Sequence, residues 1–268
     1  MTGGRYDPPV PIDASLAGKR ALVTGAGQGV GEAIALELAR AGCDVVVNDF
    51  HADRADATVK TITDEGNSAL AAVFDVTDYA AVAAGFAAAG PVDILVNNAG
   101  NAGPDSFGTI APFVDTTPEQ WEPFFAVNTY GVMNCVHAAL PGMTERGWGR
   151  VITIVSDAGR SGGAKLAAYS AAKAAAAGFG RAIAREVARH GITVNTVSLG
   201  TIRTTTTAAM WDAAEHQTRR DAMLADYLIR RPGEPDDAAW VVRMLASPRA
   251  SWITGQTIPV NGGFSFAL

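Results

Sequence analysis

The chain has 268 residues, 48% of them hydrophobic, with 29 glycines and a formal charge of -6. That length and apolar content suffice to bury one large core, and alternating α/β domains of this size commonly stand as single units. An acidic balance is the wrong sign for neutralising a phosphate backbone or anionic lipid, so neither nucleic acid nor a membrane surface is an expected partner. No apolar stretch reaches the roughly 18 residues of a membrane span, because Lys173, Arg181 and Arg185 break the alanine-rich segment after Tyr169.

Residues 1–17 lack the apolar centre of a secretory signal and are spaced by prolines. They read as a flexible lead-in to a domain over 18–268, in a soluble chain placed in the cytoplasm. Cys43 and Cys135 have no nearby partner and read as reduced, buried thiols. His51, His137, His190 and His216 are scattered without ligand spacing, so no metal site is expected.

Short apolar runs then alternate with helical patterns. Residues 20–24 (RALVT), 43–49 (CDVVVND), 70–76 (LAAVFDV) and 92–98 (VDILVNN) read as four strands. Residues 150–156 (RVITIVS), 192–198 (ITVNTVS) and 256–262 (QTIPVNG) supply three more, near-continuously apolar as strands covered on both faces are. Strands separated by helices of ten or more residues imply right-handed crossovers, hence a doubly wound, seven-stranded parallel sheet with helices on both faces. Thr117-Pro118-Glu119-Gln120 predicts a helix start, with an N-cap hydroxyl, a first-position proline and a third-position glutamine. Residues 203–231 interrupt the alternation before the last helix and strand, and are the natural substrate lid.

The first strand leads into TGAGQGVG, where Gly25, Gly29 and Gly31 open a helix. Exposed amides at a helix N-terminus, with the helix dipole behind them, suit a pyrophosphate. Asp49 ends the second strand eighteen residues after Gly31, where a carboxylate can accept from both hydroxyls of an adenosine ribose and repel a 2′-phosphate. Its neighbours Gln28 and Phe50 are uncharged, so NAD is favoured over NADP. In YSAAK, Tyr169 and Lys173 stand four residues apart on one helix face. A cation about 4 Å from a phenol, at an effective dielectric near 20, contributes about 4 kcal/mol, enough to pull a tyrosine from about 10 toward 7. Ser156 closes the fifth strand at the carboxyl edge of the sheet, thirteen residues before Tyr169, with a hydroxyl able to hold a reacting oxygen.

From about Gly18 to Gly263 the residues resemble the compact, single-domain branch of the short-chain dehydrogenase/reductase family. The glycine motif falls at Thr24 to Gly31, an adenine-side pair at Asp75 and Val76, an NNAG signature ending in Asn98, Ala99 and Gly100, and a helix asparagine at Asn128. The resemblance implies hydride transfer between NAD and a secondary alcohol or ketone. It gives Tyr169 the proton exchange, Ser156 the orientation of the substrate oxygen, Lys173 the nicotinamide ribose and the tyrosine pKa, and Asn128 the support of a water chain. It further assigns cofactor contacts to Gly25, Gln28, Gly29, Val30, Gly31, Asp49, Phe50, Tyr169, Lys173, Gly200, Ile202 and Thr204. Where the family usually has Pro-Gly after the sixth strand, this chain has Leu199-Gly200. Leucine frees a dihedral that proline fixes, so Ile202 and Thr204 are expected to sit less rigidly without loss of activity.

In the lid, Met210, Trp211, Met223, Leu224, Tyr227, Leu228 and Ile229 lie beside Arg219 and Arg220. They suit a hydrophobic small-molecule carbinol, steroid-like or a hydroxyacyl thioester whose phosphates meet arginine, or else simply fold the lid onto the core. The loop over 101–116 is expected as the opposite wall. Small residues cover much of the helix carrying YSAAK, which, with the resemblance, implies a homotetramer, a dimer being the alternative. An NAD-binding sensor without chemistry is the rival reading, and the intact tetrad weighs against it. An epimerase or dehydratase needs a substrate domain for which no length is left.

Overall fold

The computed structural model describes residues 16–101, 106–205 and 207–266. Seven parallel strands stand in the order β3-β2-β1-β4-β5-β6-β7: β1 Arg20–Val23, β2 Asp44–Asp49, β3 Ala69–Val73, β4 Ile94–Asn97, β5 Gly149–Ser156, β6 Ile192–Leu199 and β7 Thr257–Val260. The order reverses between β1 and β4, which opens a crevice at the carboxyl edge. This is the seven-stranded, doubly wound sheet the sequence pattern predicts.

Strand side chains alternate between two cores. Ala21, Val23, Val45, Val47, Ile94 and Val96 face a layer containing α1 (Gly29–Arg40), α2 (Ala52–Asp64) and α10 (Pro235–Ala246). Leu22, Val46 and Leu95 face the other way, toward α3 (Tyr79–Ala89), α5 (Val132–Arg146) and α7 (Ala167–Val187). Both faces being covered explains why the strands read as unbroken apolar runs rather than alternating ones.

Two expectations are corrected in detail. The third strand stops at Val73 instead of reaching residue 76, because the chain turns: Asn48 Nδ2 captures the Phe74 carbonyl at 3.1 Å and Asp75 Oδ1 takes the Thr77 N–H at 2.8 Å. Asp75 and Val76 therefore sit on a loop. Leu16, placed by sequence in the lead-in, is fully buried in the first core, so the domain begins before residue 18; residues 1–15 lie outside those described. Leu199 is held tightly, paired with Ser156 on one side and Val260 on the other.

The predicted helix start holds, with α4 running Pro118–Phe125 and the Thr117 N–H bonded to Gln120 Oε1 at 3.0 Å. Between α4 and α5 the helix widens into a π-turn over Ala126–Gly131. Such insertions often mark functional positions, and this one carries Asn128.

Candidate active site

A cleft of about 390 Å³ runs along the carboxyl edge of the sheet. It is lined by every position that the sequence assigns to cofactor contact, from Gly25 and Gln28 through Asp49, Phe50, Asp75 and Asn98 to Gly200, Ile202 and Thr204. Ser156, Tyr169 and Lys173 line it too, whereas Asn128 lies behind its wall. At the phosphate end, Gly29 has φ +60°, and a Cβ on Gly31 would collide with the Gly25 carbonyl and Asn98 Nδ2. Only glycine lets the turn fold this closely under the helix. Asn98 fastens that turn from the next strand, Nδ2 donating to Thr24 O and Gly25 O, each at 3.0 Å. The N-cap residue Gln28 makes no side-chain hydrogen bond into α1, so the first-turn amides after Gly29 are left to an incoming anion. Glu32, unremarked in the sequence, receives the Gly29 N–H, and burial raises its pKa.

At the end of β2, Asp49 is buried and already fixed: Oδ2 accepts from Gly27 N–H and Oδ1 from His51 N–H, both at 3.0 Å. Arg54, one turn into α2, lines the same end of the cleft. A carboxylate offers about four acceptor positions, so two remain for a pair of ribose hydroxyls. The turn and the carboxylate together fit an adenine dinucleotide.

Tyr169 and Lys173 share the inner face of α7. The Tyr169 ring packs against Phe107 and Phe124 with centroids 5.0 and 5.8 Å away. Burial raises its pKa, opposed by a hydrogen bond with Ser156. The expected depression by lysine is not found: Lys173 Nζ is 5.9 Å from the ring centroid and donates to Ile154 O at 2.9 Å. Desolvation of the phenolate outweighs a cation at that range. Burial also pulls Lys173 down to about 8. Asn128 Nδ2 donates to Asn101 O at 2.6 Å and Phe124 O at 2.7 Å, while Oδ1 is buried without a partner. A Cβ on Gly100 would stand 3.2 Å from both Asn128 Oδ1 and Lys173 Nζ, so these two atoms converge behind that glycine.

The chain as a whole is similar to known proteins. A family model described as enoyl-(acyl carrier protein) reductase matches residues 25–265. The 3-oxoacyl-[acyl-carrier-protein] reductase FabG of Pseudomonas aeruginosa is 39% identical over 253 residues, covering 93% of this chain and 98% of the relative. The chain belongs to the short-chain dehydrogenase/reductase family. A 7alpha-hydroxysteroid dehydrogenase of Escherichia coli K12 is 34% identical over 252 residues, covering 92% of this chain and 94% of the relative. Among solved structures, a gluconate 5-dehydrogenase from Burkholderia cenocepacia in complex with NADP and tartrate superposes with TM-score 0.85 at 33% identity, over 96% of this chain and 99% of that one. As a single-domain short-chain dehydrogenase/reductase, the chain is an oxidoreductase of secondary alcohols and ketones that uses a nicotinamide cofactor.

For a short-chain dehydrogenase/reductase the substrate side varies most, and here the sequence was least informative. The lid forms α8 (Ala208–Asp212) and α9 (Gln217–Leu224), but its apolar residues divide: Trp211 and Tyr227 are buried, whereas Leu228 is 73% exposed. Its cleft-lining residues are instead threonines, Thr204, Thr205 and Thr207. Arg220, expected near a substrate phosphate, donates to Ala213 O at 2.5 Å and so staples the lid to itself. The opposite wall is supplied by Phe107, from the expected loop; residues 102–105 of that loop lie outside those described. Phe107 and Val127 are cleft residues that the sequence did not single out, while Arg54 stood in it only as a fallback cation for a 2′-phosphate. Only Arg54 left a signal, a cation five positions beyond Asp49 on the following helix.

Proposed function

We propose that this enzyme moves a hydride between NAD and a secondary alcohol or ketone that carries an apolar group. The observation that carries it is the meeting of Ser156, Tyr169 and Lys173 in the cleft whose far end holds Asp49. NAD, when bound, supplies or accepts the hydride at its nicotinamide ring. Tyr169, its pKa raised, keeps its proton near neutrality and donates it from Oη to the oxygen of a ketone; in oxidation it takes that proton back. Ser156 holds the substrate oxygen beside the phenol. Lys173 would hold the nicotinamide ribose, and with the unpartnered Asn128 Oδ1 it frames a polar route by which the tyrosine recovers its proton through water. Phe107, 38% exposed above Tyr169, gives an apolar substituent a surface to pack on. Val30, Gly31, Val76, Ala99, Gly200, Ile202 and Thr204 line the cleft and would hold the cofactor there.

NAD over NADP rests on Asp49, since a 2′-phosphate would place about two negative charges against a buried carboxylate. Assembly as a homotetramer is supported by Ala171, Ala174 and Ala182, exposed small residues on α7 that let a second helix approach closely. The test is turnover of NAD and NADP with secondary alcohols, hydroxysteroids and 3-hydroxyacyl thioesters, in the wild type and Tyr169→Phe. The variant should lose two or more orders of magnitude in kcat while binding NADH normally. Near-normal turnover would refute the role of the phenol.

A further inference from the structure

Asp157 is a buried carboxylate that the chemistry of the cleft leaves unused. It follows Ser156 directly, is 2% exposed and does not line the cleft. Its two oxygens serve different parts of the fold. Oδ1 accepts from Ser198 Oγ at 2.6 Å and from Arg160 Nη1 at 3.2 Å. Oδ2 accepts from Asn261 Nδ2 at 2.5 Å and from Ser265 Oγ at 2.8 Å. An ionised carboxylate has about four acceptor positions, and donors from three separate segments supply that number. Desolvating such a group is costly, and Arg160 pairs its charge while the other three donors satisfy its remaining lone pairs, so the carboxylate holds the segments that carry those donors together.

The three segments are the ones that frame the reaction. Asp157 N–H donates to Leu199 O at 2.9 Å, which clamps the end of β6 just before Gly200, Ile202 and Thr204. The turn after β7, gripped through Oδ2, packs on Gly200, where a Cβ would stand 3.0 Å from Asn261 Cα. That same turn holds the end of the lid, with Ile229 N–H donating to Gly262 O at 2.9 Å and Tyr227 against Phe264 at 5.0 Å. One carboxylate therefore ties the end of the serine strand to the strand that leads into the cofactor loop and to the turn on which the end of the lid rests.

We propose that Asp157 is a positioning residue, which keeps the Ser156 hydroxyl in register with the loop and lid that close the cleft. The proposal rests on the hydride-transfer reading of that cleft. It also accounts for Leu199, whose backbone is fixed by Asp157 and the flanking ladder.

The test compares Asp157→Ala, Asp157→Asn, Ser265→Ala and the Asp157→Ala, Ser265→Ala double variant by steady-state kinetics and by hydrogen exchange at the Gly200 and Ile229 amides. Asp157→Ala should accelerate exchange at both amides about tenfold and lower kcat about tenfold, with the KM for NAD changed less than threefold. Asp157→Asn, keeping one acceptor oxygen, should recover part of both. Ser265→Ala should give a smaller effect that mostly vanishes in the Asp157→Ala background, because beside the carboxylate at 2.8 Å the hydroxyl has only the long contact from Asn261 Nδ2 at 3.4 Å. Wild-type exchange in a folded Asp157→Ala, or a Ser265→Ala effect that persists in full in the double variant, would overturn the proposal. If Asp157→Ala does not fold, Asp157→Asn and Ser265→Ala decide by the same two readouts. An inactive wild type would refute the hydride-transfer reading instead, and exchange would still decide the role of Asp157.

Discussion

Replacing Lys173 with methionine should change the pH dependence of stability in a window fixed by burial. Lys173 is 6% exposed and its pKa falls from 10.5 to about 8 because the ammonium is desolvated. The folded value is below the unfolded one, so between about 8 and 10.5 the unfolded chain holds a proton that the folded chain does not. Stability from this group therefore rises with pH across that window, and the whole penalty is present below it. The gap between 10.5 and about 8 corresponds to about 3 kcal/mol. Lys173→Met keeps the length and removes the charge, at the cost of the hydrogen bond to Ile154 O, on the order of 1 kcal/mol. At pH 7 the variant should be as stable as the wild type or more so by up to about 2 kcal/mol, and that advantage should fall by about 3 kcal/mol by pH 10.5. Cys43 and Cys135, pushed up to about 12 from 9.0, make both proteins less stable above pH 9, and this common trend cancels in the difference. Using a Tyr169→Phe background removes the neighbouring phenol's own titration. The assay is urea unfolding followed by tryptophan fluorescence at four pH values from 7 to 10.5. A wild-type-minus-variant difference that does not move with pH would refute the reasoning.

Gly31→Ala should cost about 1–3 kcal/mol of stability and at least tenfold in NADH affinity, since its Cβ meets backbone that cannot yield. Thermal unfolding and fluorescence titration check both. Asp49→Ser should erase most of the preference for NAD, mainly by weakening NAD, as read from the ratio of catalytic efficiencies for the two cofactors. A wild type that uses NADP equally well would shift the decision at this end of the cleft to Arg54.

The strands and the cleft were legible because both rest on short-range rules. A sheet covered on both faces must be apolar at every strand position, so β1, β2 and β5 announce themselves within a few residues. The glycine turn is a local backbone requirement, and Tyr169 and Lys173 are neighbours on one helix whatever surrounds them. What sequence could not show depends on distant partners. The third strand was cut short by Asn48 reaching across to Phe74, and Leu16 entered the core through packing from other elements. The lid residues carried a helical, apolar pattern that fits an inward or a cleft-facing side chain equally, and the structure turns Trp211 and Tyr227 inward. Asp157 carried no local signal, because its partners at Ser198, Asn261 and Ser265 lie 41, 104 and 108 residues along the chain.

The tyrosine shows why a neighbouring cation is not sufficient to predict a pKa. Four residues of helix guarantee that a lysine is close, but the same packing that brings it close removes water from both groups. Desolvation favours the neutral form of each, moving the phenol up and the ammonium down, so burial works against the charge pair that spacing alone suggests. For an enzyme that reduces ketones this direction is useful: a phenol that retains its proton is a donor, and a lysine near 8 exchanges protons readily at working pH. Two further polar atoms stand near the pair: Ser156 Oγ, which opposes the rise at Tyr169, and Asn128 Oδ1, which has no partner of its own and shares the space behind Gly100 with Lys173 Nζ. The π-turn is what makes the second possible, since it places Asn128 in the helix wall with its amide nitrogen already spent on Asn101 and Phe124. An asparagine held by its nitrogen keeps its oxygen as an acceptor, here 3.2 Å from where a Gly100 Cβ would stand, as is the Lys173 ammonium.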